Sequence, residues 1–318
     1  MTLPAPLLAL IVPCYNEEEI LPHTQDALAT LLAQLKREER VADKSYILYV
    51  DDGSQDATWD IICRRHEEDP QCKGLKFSGN AGHQHALLAG MRTARDWGAD
   101  CIISLDADLQ DDISVIPQML ERYAEGCGIV FGVRNDRSSD TIFKRTSASM
   151  FYKFMELLHV KLIPNHADFR LVARPALEAL ENYGERQPFL RGIFPSMGFK
   201  TAVVPYRRLS RQAGVSKYPL FKMLSFAWRG LTSFSAAPLR LAGLLGLLGS
   251  ALAVGMAAKV LWDYAHGSTV SGWTSLITVV LFMGSVQLVC LSVMGEYIAK
   301  IFEEVRRRPR YIVETLLP

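Results

Sequence analysis

The sequence predicts an α/β protein: a mostly parallel sheet with crossover helices, followed by interfacial helices and a two-helix transmembrane hairpin. Three observations carry that expectation. In residues 1–235, short apolar runs alternate with longer stretches of helical period, the pattern of strands joined by crossover helices. Acidic and polar residues stand directly after the apolar runs, where such sheets bind ligands at the carboxyl ends of their strands. Leu239 to Leu261 and Trp273 to Ile298 are overwhelmingly apolar. Each is long enough to cross a hydrocarbon core of ~30 Å at a rise of ~1.5 Å per residue.

Taken in order, the strands are expected at Leu8 to Val12, Tyr46 to Val50, Gly74 to Phe77, Cys101 to Leu105 and Ile129 to Val133. Helices fill the gaps at Glu17 to Arg37, Thr58 to Glu68, Gln84 to Trp97, Val115 to Ala124 and Thr141 to Val160. The opening run Leu7 to Val12 lacks a basic start and leads into Pro13-Cys14-Tyr15-Asn16 rather than a cleavage site, so it reads as a first strand and not a signal peptide. No internal repeat or low-complexity stretch interrupts residues 1–218, which form the expected cytoplasmic domain.

Residues 219–238 carry Phe221, Met223, Leu224, Phe226, Trp228, Leu231 and Phe234 together with Lys222 and Arg229. This composition suits an amphipathic helix at a membrane surface; a core helix of the preceding domain is the alternative. The hairpin itself is expected over residues 239–299, with a basic cytoplasmic tail at 300–318. Arg229 and Arg240 precede the first span and Lys300, Arg306, Arg307, Arg308 and Arg310 follow the second, whereas Asp263 to Gly272 has no Lys or Arg. The positive-inside rule therefore places both termini in the cytoplasm, at the inner membrane. Lys259 and Glu296, near opposite ends of the spans, snorkel to the interface or act as functional intramembrane charges. Gly246, Ser250, Ala251 and Gly255 would allow close helix packing, including that of a homo-oligomer.

Composition narrows the function classes. The 318 residues are 49% hydrophobic, ample for a core, and a formal net charge of +1 argues against a general nucleic-acid binder. The six cysteines form no C-x-x-C pair and read as reduced thiols rather than a zinc site or a disulfide framework.

Asp106-Ala107-Asp108, just past the fourth strand, concentrates the chemistry. In extended backbone, residues two apart point to one side, so both carboxylates can meet one hard cation, Mg²⁺ or Mn²⁺, completed by water and substrate phosphate. An acidic turn closing a strand explains Asp-x-Asp equally well when it stands alone. It does not stand alone: strand one ends in Pro13 to Glu18 and strand two in Asp51-Asp52-Gly53-Ser54, and all three ends would meet at one crevice. Asp52 could accept hydrogen bonds from a base or ribose, although Asn16 could simply cap a helix and Asp-Gly is a common turn pair. Neither G-x-G-x-x-G nor G-x-x-x-x-G-K-[ST] is present, so phosphate would fall to the metal and to cations. The candidates are Arg134, Arg211 and Lys217, the last two of which could equally greet anionic lipid.

These motifs resemble those of family 2 glycosyltransferases of the GT-A fold. The likeness lies with the polyprenyl-phosphate glycosyltransferases that include dolichyl-phosphate mannose synthase and the bacterial bactoprenol glucosyltransferases. It rests on Val12 to Glu17, Val50 to Ser54, Asn80-Ala81-Gly82 before Ala86 to Gly90, Asp106 to Gln110, Ala167 to Leu171 and Arg211 to Tyr218, together with the terminal hairpin. The resemblance implies that Pro13, Tyr15, Glu17 and Asp52 hold the nucleotide, Asp106 and Asp108 the metal, and Gln110 the sugar or diphosphate neighbourhood. Arg134, Arg211 and Lys217 would serve the phosphates, and Asp168 is the family's candidate base. Two departures stand out. Asp112-Ile113-Ser114 replaces a proline-rich continuation, and Gly82-His83-Gln84-His85 stands where Lys-Glu is often seen; His83 and His85 read as the start of a helix.

The implied reaction is an inverting transfer of one sugar from a nucleotide sugar to a polyprenyl phosphate at a membrane. UDP-glucose is the first-choice donor, and GDP-mannose or a modified UDP-sugar are alternatives with the same motifs. A catalytically silent nucleotide-sugar-binding scaffold is the reading from another class. A processive polysaccharide synthase would need a longer membrane channel than two spans can build. The second pKa of a phosphate monoester is ~6, so the acceptor is largely dianionic at neutral pH, which leaves Asp168 to orient more than to remove a proton.

Overall fold

The structure is a computed structural model that describes residues 4–134, 163, 166–186, 188–207, 237–266 and 272–318. The helix expected at 141–160, almost all of the amphipathic segment, Arg211 and Lys217 lie outside the described residues. The chain divides into two compact units, one of Met1–Lys217 with Arg308–Pro318, the other of Tyr218–Arg307.

The first unit is built on an eight-stranded sheet. Its strands are β1 (Leu8–Cys14), β2 (Tyr46–Asp51), β3 (Cys72–Phe77), β4 (Cys101–Ser104), β5 (Ile129–Arg134), β6 (His166–Ala173), β7 (Thr201–Tyr206) and β8 (Val313–Leu317). Their spatial order is β7-β5-β6-β4-β1-β2-β3-β8. β1, β2, β3 and β4 run parallel, as the apolar runs separated by helical segments predict. Every residue of β1, β2 and β4 is buried, because helices cover both faces of a parallel sheet and leave no strand residue for water. The helices α1 (Leu21–Arg37), α2 (Thr58–Glu68), α3 (His83–Asp96) and α4 (Ile116–Ala124) fall within a few residues of their expected places. Two short helices, α5 (Arg174–Leu180) and α6 (Leu190–Ser196), complete this unit.

Three strands have no counterpart in the sequence reading. β6 runs antiparallel to both β4 and β5, pairing Ser104 with Arg170 and Phe131 with Arg170. β7 is an edge strand parallel to β5, with Pro205 tolerated because an edge needs fewer ladder donors. β8 corrects the expectation of a separate basic tail at 300–318: the second long apolar helix runs on to Arg306, and Val313–Leu317 joins the sheet antiparallel to β3. Charge marked that segment as a tail, but the apolar residues of Val313-Glu314-Thr315-Leu316-Leu317 find a sheet edge to cover.

Strand order reverses between β4 and β1, and ligands of open α/β sheets bind in the crevice at that switch point. The turn after β2 is fixed there by Gly53, whose φ of +70° is open to glycine. A Cβ on Gly53 would stand 2.5 Å from the Gly79 carbonyl carbon, inside contact distance of rigid backbone. Gly53→Ala is therefore expected to destabilise the domain by at least ~1 kcal/mol. A fall of several degrees in thermal midpoint is the check.

The second unit contains α7 (Ala237–Ala265) and α8 (Trp273–Arg306). Leu239–Lys259 and Phe282–Arg306 are each long and apolar enough to cross a membrane. The Met283 side chain lies over Gly249, and the Cys290 thiol reaches the Ala242 carbonyl at 3.4 Å. Rising numbers on one helix meet falling numbers on the other, so the two form an antiparallel hairpin. Leu241, Leu244, Leu247, Leu248, Leu252 and Val254 face outward, an apolar surface that water does not tolerate in bulk.

Candidate active site

The three acidic strand ends do converge. β4, β1 and β2 are neighbours, Cys14 pairs with Asp51, and the Asp52 amide donates to the Cys14 carbonyl at 2.9 Å. Pro13 is buried in β1, Glu17 is half-buried and Tyr15 is 44% exposed at the mouth. Asn16 takes a left-handed φ of 54° and does not cap α1; its side-chain oxygen accepts from the Gln55 amide at 2.9 Å. The Glu17 amide donates to the Thr58 hydroxyl at 2.9 Å, so the ends of β1 and β2 are stitched together.

Asp52 is 3% exposed and binds the loop after β3: its carboxylate accepts from the Ala81 amide (2.7 Å) and from the Gly82 amide (2.9 and 3.1 Å). Burial raises its pKa, and these amides oppose the rise. A carboxylate offers about four acceptor positions, so capacity remains for a ligand N–H.

Asp106 and Asp108 are partly exposed in the turn after β4, while Ala107 between them is buried and its carbonyl accepts from Thr24. Asp108 accepts from the Gln110 amide at 3.3 Å across Leu109, whose φ is +48°. Gln110 itself is 5% exposed. Asp106 Oδ1 is buried without a hydrogen-bond partner among the described residues. That burial pushes the Asp106 carboxyl up to about 6; His83 opposes the rise, and the Asp168, Asp111 and Asp108 charges add to it.

The Ser104 hydroxyl at the end of β4 donates to the Asp168 carbonyl of β6, and His83 lies between Asp106 and Asp168. Asp168 is the most engaged carboxylate in the domain. It accepts from Arg170, from Arg191 Nη2 at 2.9 Å and Nε at 3.3 Å, and from Gln84 at 3.4 Å. His83 Nε2 stands 3.4 Å from Asp168 and 3.6 Å from Asp106, bridging the two. Burial alone would raise the Asp168 pKa, but the Arg170 and Arg191 charges outweigh it and hold the group well below the carboxylate range. Arg170 is wholly buried and pulled down by that burial, with Arg191 repelling it, yet it remains charged beside Asp168. Burial lowers His83, and its Asp168 hydrogen bond with the Asp106 and Asp168 charges reverses the direction, so the imidazolium is favoured.

Arg134 is placed differently from a free phosphate clamp. Its guanidinium donates to Asp111 at 3.0 Å and to the Tyr206 hydroxyl at 3.1 Å, which ties the end of β5 to the loop after β4 and to β7. Asp111, His83, Gln84, Arg170 and Arg191 were not assigned roles from sequence. Arg170 had a legible signal, since Asp168 and Arg170 stand two apart on a strand and share a face. His83 and Arg191 had none.

A family model, Glycosyl transferase family 2, matches residues 9–180, which hold β1 to β4, Asp106, Asp108 and Asp168. The chain belongs to glycosyl transferase family 2. It is therefore a glycosyltransferase with a GT-A catalytic domain. An uncharacterized glycosyltransferase of Bacillus subtilis, YkoT, is 49% identical over 97% of this chain and 91% of its own. The SfII prophage-derived bactoprenol glucosyl transferase of Shigella flexneri is 38% identical over 96% and 97%. A prophage bactoprenol glucosyl transferase homolog of Escherichia coli K12 is 37% identical over 96% and 98%. The likeness to these relatives therefore includes α7 and α8 as well as the catalytic domain.

Proposed function

We propose that this glycosyltransferase transfers a single sugar, glucose from UDP-glucose, to a polyprenyl phosphate at the cytoplasmic face of a membrane. The observation that carries this reading is the likeness, through both the catalytic domain and the hairpin, to proteins named bactoprenol glucosyl transferases. β8 follows the hairpin in sequence and shares a sheet with strands that precede it, so both ends of an inserted hairpin emerge on one side. The basic residues flanking the spans favour the cytoplasmic side.

In this reading Tyr15, Glu17 and Asp52, with Pro13 shaping the strand end, receive the nucleotide. Asp106 and Asp108 suit a divalent cation, Mg²⁺ or Mn²⁺. The two carboxylates stand two residues apart past β4, one buried Asp106 oxygen has no hydrogen-bond partner among the described residues, and such ions need only one or two protein carboxylates beside substrate phosphate. When bound, the ion would neutralise charge on the diphosphate. Gln110 lies next to that pair, and Arg211 and Lys217 are the cations assigned to the phosphates, Arg134 being engaged by Asp111 and Tyr206.

A phosphate oxygen of the acceptor attacks the anomeric carbon, the bond from that carbon to the donor diphosphate breaks, and UDP leaves with the electron pair. The product is the polyprenyl-phosphate sugar with inverted configuration. A dianionic phosphate needs no base, since its second pKa is ~6. Asp168, ionised and saturated by two arginines, is poorly made to take a proton. It orients instead, holding Arg191 and His83 beside Asp106.

The test uses the full-length protein in detergent with UDP-[¹⁴C]glucose, undecaprenyl phosphate and Mg²⁺. Label is expected in the organic phase and is expected to vanish with excess EDTA. Label only from GDP-mannose would change the donor, and no label from any nucleotide sugar would favour the silent scaffold.

A further inference from the structure

We propose that the C-terminal strand positions the donor-nucleotide site, acting through Tyr311 and Ile312 on the loop Ser78 to Gly82; this rests on the nucleotide-sugar reading above. The loop is held from two sides. At its far end the Ala81 and Gly82 amides bind Asp52, and Gly79 and Asn80 press on Gly53. At its near end the Ser78 amide donates to the Ile312 carbonyl at 3.0 Å. The Tyr311 ring stacks on Phe77, the last residue of β3, with centroids 4.8 Å apart and planes 9° from parallel. The chain thus runs from β8 through Phe77 and Ser78 to the residues that grip Asp52.

The remainder of β8 is arranged to hold this register. Phe77 pairs with Val313 but Lys76 with Thr315, so Glu314 is the extra residue of a bulge at the end of β3, just before the loop. Bulges of this kind re-aim a strand at the point where pairing stops. Glu314 meets Lys76 at 3.3 Å, and the Leu317 side chain packs over Gly74. Directly after the loop come His83 and Gln84, both in contact with Asp168. A shift of the loop would therefore reach first the nucleotide carboxylate and then the reacting end of the crevice. No local rule requires residues 311–317 for a nucleotide site whose other members lie within residues 13–168.

The experiment measures UDP and GDP binding to the full-length protein in detergent by calorimetry, followed by steady-state kinetics. Tyr311→Ala is expected to weaken the nucleotide that the wild type binds by about five- to tenfold, the worth of one aromatic stack. The donor KM should rise with it and the acceptor KM should stay. Tyr311→Phe, which keeps the stack, should restore affinity. Hydrogen exchange on the unmodified protein gives an independent reading, because coupling is reciprocal: bound nucleotide should slow exchange at Ser78 and in β8. Wild-type affinity in Tyr311→Ala, or exchange in β8 indifferent to nucleotide, overturns the proposal. A wild-type protein that binds neither UDP nor GDP overturns the functional reading beneath it instead.

Discussion

Asp108→Asn is expected to lower sugar transfer by at least ~10²-fold, the scale on which removal of one preorganised electrostatic partner acts. The substitution is chosen for what it leaves in place. Asn retains a side-chain oxygen that can accept from the Gln110 amide, so the turn through Leu109 keeps its lock although its φ of +48° costs about 1 kcal/mol. Only the charge beside Asp106 is lost. Asp106 cannot easily replace it, since burial raises its carboxyl to about 6 even with His83 opposing the rise. The fold should be unaffected, because Asp108 is partly exposed and outside the core. Turnover and Mn²⁺ binding by electron paramagnetic resonance are the paired measurements. Near-wild-type values of both would remove Asp108 from the metal site.

Asp168→Asn should produce the largest loss of stability, roughly 3–5 kcal/mol, the cost of stranding a buried partner charge. Arg170 has no exposed surface, and its Nε and Nη1 find no other partner among the described residues, so the Asp168 carboxylate is what compensates it. Arg191 would keep some solvation, being a third exposed. The pH dependence follows from the depressed pKa of Asp168. A carboxyl whose folded pKa lies below its unfolded value of ~3.9 gives stability that is complete above that value. It is lost as pH falls through the lower, folded value. At neutral and alkaline pH the wild type therefore already has the full benefit, and the variant has nothing to regain there. The rate deficit of Asp168→Asn should persist across pH 6 to 9. A deficit that closes as pH rises would return Asp168 to the role of base.

Much of the catalytic domain was legible because its signals are local. β1, β2 and β4 are short apolar runs, and the residues that follow them sit at strand ends for the same reason that the runs are strands. Asp106 and Asp108 flank a buried Ala107, but in a turn past β4 rather than in the extended backbone expected of them. The hairpin was equally plain, since nothing but lipid or a protein core accepts so many consecutive apolar residues. β6 was missed because Asp168 and Arg170 interrupt its apolar run, and β7 because it is a half-exposed edge strand with Pro205 in it. β8 was missed because a cluster of arginines precedes a five-residue strand with only three apolar residues. Arg134 was correctly placed at the end of a strand, but Asp111 and Tyr206, which bind it, come from 23 residues before and 72 after.

The sequence by itself determined the family, the order of strands that carry Asp52, Asp106 and Asp108, and two helices long and apolar enough to cross a membrane, since periodicity and hydropathy act over a few residues. Only the tertiary structure decided that Asp168 sits buried among Arg170, Arg191 and Gln84. It alone brought His83 between two carboxylates and wove residues 313–317 into the catalytic sheet. Gln84 meets Asp168 from 84 residues away and Arg191 from 23. Burial and charge at such a meeting are properties of the packed domain, and no local spacing encodes them.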